Sequence, residues 1–152
     1  MQFSIASAAL SATFASLAMA LPIKTADDSN FNLMVLRSGS PVHFAPVNYD
    51  ETHAQVFSIG RAAGGSPANL TLQSDSSIVD ETGRGVYINP NTGDVGLVGE
   101  GQKASTGFSF DGYEFLYQGN SSFFACPSGE DVYSLTFDYS YEGCLGITLY
   151  HI

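Results

Sequence analysis

Three short apolar–hydroxyl–apolar triplets recur along the chain. Leu70-Thr71-Leu72, Phe108-Ser109-Phe110 and Ile147-Thr148-Leu149 are spaced by 38 and then 39 residues. Three further features return between them in the same order. An apolar run leads into a glycine turn: Leu33 to Leu36 before Gly39, Ile78-Val79 before Gly83, and Phe115-Leu116 before Gly119. A second run follows at Val42-His43-Phe44, Val86-Tyr87-Ile88 and Phe123-Phe124-Ala125. The third lies at Val56-Phe57-Ser58-Ile59, Val95-Gly96-Leu97-Val98 and Val132-Tyr133-Ser134-Leu135. None of these runs holds a 3.6-residue apolar period for more than two turns, so helix is nearly excluded and strands are expected. The chain thus divides into three four-strand units, at 31–73, 77–110 and 114–151. One such unit cannot bury its own apolar face, whereas three together close a barrel with a hairpin cap. The expected fold is all-β, a β-trefoil, with a β-sandwich of evenly spaced hairpins as the alternative. Thr71, Ser109 and Thr148 should then face away from the core.

Composition agrees with strands. Glycine, serine, tyrosine and phenylalanine are common, while Lys, Glu and Ala are sparse after residue 20. With 44% hydrophobic residues the chain can bury a core, unlike a disordered acidic tail. Its 15 acidic and 5 basic side chains leave a net charge of −10. No basic surface exists to displace counterions, which argues against nucleic acid and anionic lipid as partners.

Residues 1–20 carry no charged side chain and end Ala18-Met19-Ala20, the small-residue layout of a secretory cleavage site. They read as a signal peptide, followed by a polar leader at 21–30 and one all-β domain at 31–152. The mature chain keeps every charged side chain and is expected to be secreted, extracellular or in a cell wall. In that oxidising setting the even pair Cys126 and Cys144 reads as a disulfide. The same export route makes Asn69-Leu70-Thr71 and Asn120-Ser121-Ser122 N-glycosylation sites, both beside expected turns. His43, His53 and His151 do not stand at metal spacing from the cysteines, so neither metal nor cofactor is expected.

Catalytic constellations are thin, and no catalytic residue is nominated. There is no Gly-x-Ser-x-Gly elbow, and His43 lies in an apolar run. Asp111 with Glu114, and Glu130 with Asp131, are the pairs a glycosidase would require, but both fall in expected turns, where acids are solvated. Asn89-Pro90-Asn91-Thr92-Gly93-Asp94 lacks the alternating acids of a calcium loop and reads as a glycine turn. Tyrosines cluster late, and Tyr139 and Tyr141, either side of Ser140, are the candidate glycan contacts. Trefoil lectins similar to ricin B chains carry Gln-x-Trp in each unit, whereas this chain has no tryptophan.

The opening of the mature chain runs Phe31-Asn32-Leu33-Met34-Val35-Leu36-Arg37-Ser38-Gly39-Ser40-Pro41-Val42-His43-Phe44, then Pro46-Val47-Asn48. It resembles the opening of the fungal PhiA-like cell wall proteins. The stretch from Gly107-Phe108-Ser109-Phe110 to Phe123-Phe124-Ala125-Cys126-Pro127 and on to Cys144 resembles the end of that family. Cys126-Pro127-Ser128-Gly129 with Cys144 is more distantly similar to the C-terminal domain of the yeast Pir-type wall mannoproteins. The chain lacks the Gln-rich repeats by which those mannoproteins attach to glucan. The resemblance implies a wall-associated fungal glycoprotein, structural or interacting rather than catalytic. A lectin-like glycan-binding module is the alternative, and a hydrolase inhibitor presenting the 62–68 loop is a further one. Wall polysaccharide or wall proteins are the expected partners of a chain expected to be monomeric.

Overall fold

Alternation of buried and outward side chains shapes the strands of the computed structural model, which describes residues 30–52, 55–60, 63–99 and 101–152. The expected signal peptide, and all of the 21–30 leader except Asn30, lie outside the described residues. The described residues contain no helix, and the protein is all-β.

Among the described residues, thirteen short strands follow one another. The first four are β1 (Leu33–Leu36), β2 (Val47–Tyr49), β3 (Ser58–Ile59) and β4 (Ser66–Pro67). Next come β5 (Leu70–Leu72), β6 (Ile78–Asp80), β7 (Val86–Ile88) and β8 (Val95–Leu97). The last five are β9 (Phe108–Asp111), β10 (Glu114–Tyr117), β11 (Phe123–Gly129), β12 (Val132–Phe137) and β13 (Leu145–His151). All pairings between them are antiparallel.

The main sheet runs β4-β2-β3-β12-β11-β13-β10-β9, with β1 added to β13, and the pairs β5-β6 and β7-β8 stand apart from it. The long strand β13 serves three neighbours. Ile147 pairs with Phe123 of β11, Tyr150 with Glu114 of β10, and Thr148 to His151 with β1. Four pairings (β1–β13, β5–β6, β9–β10 and β3–β12) join strands of different sequence units, while β2–β3, β7–β8 and β11–β12 are hairpins within one unit. Gly39, Gly83 and Gly119 all take positive φ, between 73° and 86°, as their turns require.

The core gathers alternate residues from several strands. Leu33 and Val35 of β1 and Ile147 and Leu149 of β13 are buried, with Met34 and Thr148 between them half-exposed. Thr71 and Ser109 are likewise half-exposed beside buried Leu70 and Phe108. Aromatic rings fill the centre: Phe115 stacks between Phe108 and Phe123, at 5.5 Å from each. Phe31 meets Phe110 edge-on at 5.0 Å. Such ring pairs add about 1 kcal/mol each beyond the area they bury.

One expected strand is a turn instead. At residues 42–44, His43 N donates to Ser40 O at 3.3 Å, Ala45 N donates to Val42 O at 3.0 Å, and Phe44 takes φ of 61°. Pro41 has no N–H to give a ladder and presets a turn. Val42 still enters the core, but its strand is displaced to β2. Strand β4, unanticipated in the sequence, pairs with β2 and forms one edge of the main sheet.

The disulfide forms as expected. Cys126 and Cys144 are bonded with an S–S distance of 2.04 Å. Ala125 pairs with Leu145, so the next step along the two strands sets the cysteines opposite one another.

Candidate functional site

Pleating puts a polar row on one face of the main sheet. Asn48 of β2 pairs with Ser58 of β3, and Ser58 with Ser134 of β12. Residues directly opposite in adjacent strands share a face, so all three side chains lie on one side. Their neighbours Val47 and Ile59 point the other way into the core. Ser58 and Ser134 form the floor of a groove of about 830 Å³. Asp50, Glu51, Gln55 and Arg84 stand around it, with apolar area from Val98 and Val132. Asn48 is 6% exposed, and its Oδ1 has no hydrogen-bond partner among the described residues. A buried acceptor left this way costs about 1–3 kcal/mol until a donor reaches it.

Arg84 is fixed by an aspartate turn. Asp80 is 3% exposed, and its Oδ1 accepts bonds from Thr82 N at 3.0 Å, Thr82 Oγ1 at 2.7 Å and Arg84 N at 2.8 Å. Its Oδ2 accepts from Arg84 Nε at 3.3 Å. The guanidinium also lies 5.9 Å from the centre of the Tyr49 ring. These contacts hold the positive group of the groove in one place. Five residues before Asp80, Asp75 Oδ1 accepts from Ser77 Oγ at 2.6 Å and from Ser77 N at 3.0 Å. The Ser77 hydroxyl, then its N–H, holds the Asp75 carboxyl below the ordinary aspartate range.

Two smaller depressions adjoin the groove. Gln55 and Val56 line both the groove and a pocket of about 70 Å³ with Tyr87, Asn89, Asp94 and Gln102. Asn89 in turn lines a depression of about 270 Å³ with Gln118, Asp138 and Tyr139. The 89–94 turn separates the two smaller spaces. It is the glycine turn expected from the sequence: Asn89 Oδ1 accepts from Asn91 N at 2.9 Å, and Thr92 Oγ1 donates to Asp94 Oδ2 at 2.8 Å. Gly93 packs so closely on β12 and the segment after it that a Cβ there would lie 2.5 Å from Tyr139 Cβ and 2.7 Å from Phe137 O. Only glycine allows that approach.

The two tyrosines singled out from the sequence have different settings. Tyr139 is 48% exposed, and its ring forms part of the 270 Å³ depression. Tyr141 is 51% exposed but lies outside that depression, its hydroxyl donating to Pro127 O at 2.7 Å. It braces the 138–143 loop beside the disulfide.

The other nominated residues scatter. Asn120 is exposed in the turn after β10, and Asn69 is half-buried just before β5. Asp111 and Glu114 face each other across the β9–β10 hairpin, and Glu130 and Asp131 lie at the tip of β11–β12. His43 Nδ1 accepts from Arg37 N at 3.1 Å, and its ring packs 3.8 Å from that of Phe44. His53 and Ala62 lie outside the described residues, and Ser66 and Pro67 of the 62–68 loop are paired to β2. Among the described residues no three His, Cys, Asp or Glu side chains gather as a metal-binding group.

The groove was missed in the sequence because its residues come from strands far apart. Asn48, Ser58 and Ser134 become neighbours only through pairing. The Asp80 turn did leave a local signal, an Asp with Thr two residues on and Gly three residues on. No protein-family model, curated protein or solved structure matches the chain.

Proposed function

We propose that this chain is a secreted, wall-associated fungal glycoprotein with a structural or interaction role and no catalysis. The observation that carries the reading is the Cys126–Cys144 bond, since disulfides persist in oxidising, extracytoplasmic compartments. Asn120, exposed on a turn, supports the glycoprotein part, because a glycan there displaces no core residue. The fold reading that goes with it is the β-trefoil. Pairings that alternate between joining two units and closing a hairpin within one favour it over a sandwich.

Fractionation of producing cells tests the location. The protein is expected in the washed wall fraction, with a mass that falls on enzymatic removal of N-glycans. Recovery from culture fluid alone, at the mass of the bare polypeptide, overturns the reading.

A second reading, a small glycan-binding module, is favoured by one placement. Tyr139 offers an exposed ring beside Asp138, Asn89 and Gln118, an aromatic face with polar groups around it.

A further inference from the structure

Strand β1 is apolar on both of its sides. Leu33 and Val35 enter the core, while Met34 and Leu36 point outward, half-exposed and outside the packed core. The solvent side of an antiparallel sheet is ordinarily polar, and strands apolar on both sides are usually covered on both. Pairing shows what shares the outward side. Met34 stands opposite Tyr150 of β13, Tyr150 opposite Glu114 of β10, and Glu114 opposite Asp111 of β9, so these four side chains form one row. Leu36 stands opposite Thr148 in the next row. In the third, Gly146 stands opposite Phe124 of β11. A Cβ on Gly146 would lie 3.7 Å from both Phe124 Cε1 and Arg37 Nη1, and that nitrogen donates to Gly146 O. The ring and the guanidinium thus close over the bare glycine.

The charges of this face lie at its two ends. Arg37 is at the Gly146 end and the acids are beside Tyr150, four strand steps or about 14 Å along β13. Apolar side chains of Met34, Leu36, Phe124 and Tyr150 fill the rest. Asp111 and Glu114 are like charges directly opposite one another, an arrangement that costs stability unless a cation joins them. Among the described residues neither acid makes an ion pair, and nor does Arg37. An unpaired cation at one end and unpaired acids at the other make the face complementary to itself.

We propose that a second copy of this chain covers the face, forming a two-fold homodimer. The axis lies in the interface, at right angles to the line from Arg37 to Glu114, and crosses that line near Thr148. Each Arg37 then meets the acidic pair of the other copy, and the apolar side chains of both are buried together. Such a contact closes on itself and leaves no open end for further growth. A chain at −10 is otherwise self-repelling, so the placement of Arg37 is what makes this orientation selective. The proposal goes beyond the wall-associated reading and does not depend on it.

Sedimentation velocity of the mature chain over a concentration series tests it. An interface this small is expected to give a dimer with a dissociation constant of about 10–100 μM, so the series runs to about 500 μM. Arg37→Glu sets like charges together at both contacts, and so does the double variant Asp111→Lys with Glu114→Lys. Each is expected to weaken self-association about tenfold or more, because the two-fold axis counts every reversed pair twice. An equimolar mixture of the two variants is expected to dimerise like the parent, since opposite charges again meet at both contacts. Recovery on mixing also separates a lost contact from a lost fold, and far-UV circular dichroism of each variant alone checks the fold directly.

A parent chain that stays monomeric throughout the series overturns the proposal and leaves the face to a partner of other chemistry. A dimer that both variants leave unchanged overturns it as well. Folded variants that remain monomeric when mixed overturn the pairing of Arg37 with the acids, and with it the two-fold arrangement.

Discussion

Replacing both bridged cysteines, Cys126→Ala with Cys144→Ala, leaves no free thiol and no other change in the chain. The bond closes a segment with a sequence separation of 18 that contains all of β12 and the 138–143 loop. In the chain-entropy model, opening a loop of that length frees the unfolded chain by about 3 kcal/mol. Cys126 is also fully buried, so deleting its sulfur leaves a small void worth about 1 kcal/mol, comparable with a lost buried methyl group. The native sheet should survive, because Ala125–Leu145 and Phe123–Ile147 still pair and β12 keeps its partners β11 and β3. The expected loss is therefore about 4 kcal/mol, with Tm lower by roughly 10 °C or more for a domain of this size. Urea unfolding followed by far-UV circular dichroism measures it directly. A loss below about 1 kcal/mol refutes the reasoning, since it means the 126–144 segment is already restrained in the unfolded chain.

Two further outcomes follow from the aspartate turns. Asp80→Ala should cost about 2–4 kcal/mol in chemical denaturation, because it orphans the Thr82 and Arg84 N–H groups at once, whereas Arg84→Ala leaves three bonds to the carboxylate and should cost clearly less; equal losses would refute that ranking. Asp75 has its folded-state pKa lowered, so the stability it contributes is present above its unfolded pKa and is lost as pH falls through the folded value. In an NMR titration of the side-chain carboxyl, Ser77→Ala should move the Asp75 midpoint up toward the ordinary range, and no movement would show that the Ser77 hydroxyl is not the cause.

Most of the strands were legible because a strand writes its pattern locally. Ile78-Val79, Val86-Tyr87-Ile88 and Phe108-Ser109-Phe110 each fall within the strand that forms there. Val42-His43-Phe44 carries a similar apolar content and still turns, because Pro41 and the Ser40–Arg37 bonds outweigh propensity. Tyr139 and Tyr141 look equivalent in sequence. The fold separates them, giving one ring to a depression and the other hydroxyl to Pro127 O.

The sequence by itself determined that this chain is all-β, that its apolar–hydroxyl–apolar triplets are spaced by 38 and 39 residues, and that its two cysteines are available to pair. Each of those rests on spacing along one chain, where period-2 alternation and turn residues act over a few positions. Only the tertiary structure decided that Asn48, Ser58 and Ser134 form one polar row, and that Gln55 and Asn89 each line two neighbouring spaces. Those relations depend on which strands become neighbours and in what register. A shift of a single residue would have turned the same serines into the core and left no groove.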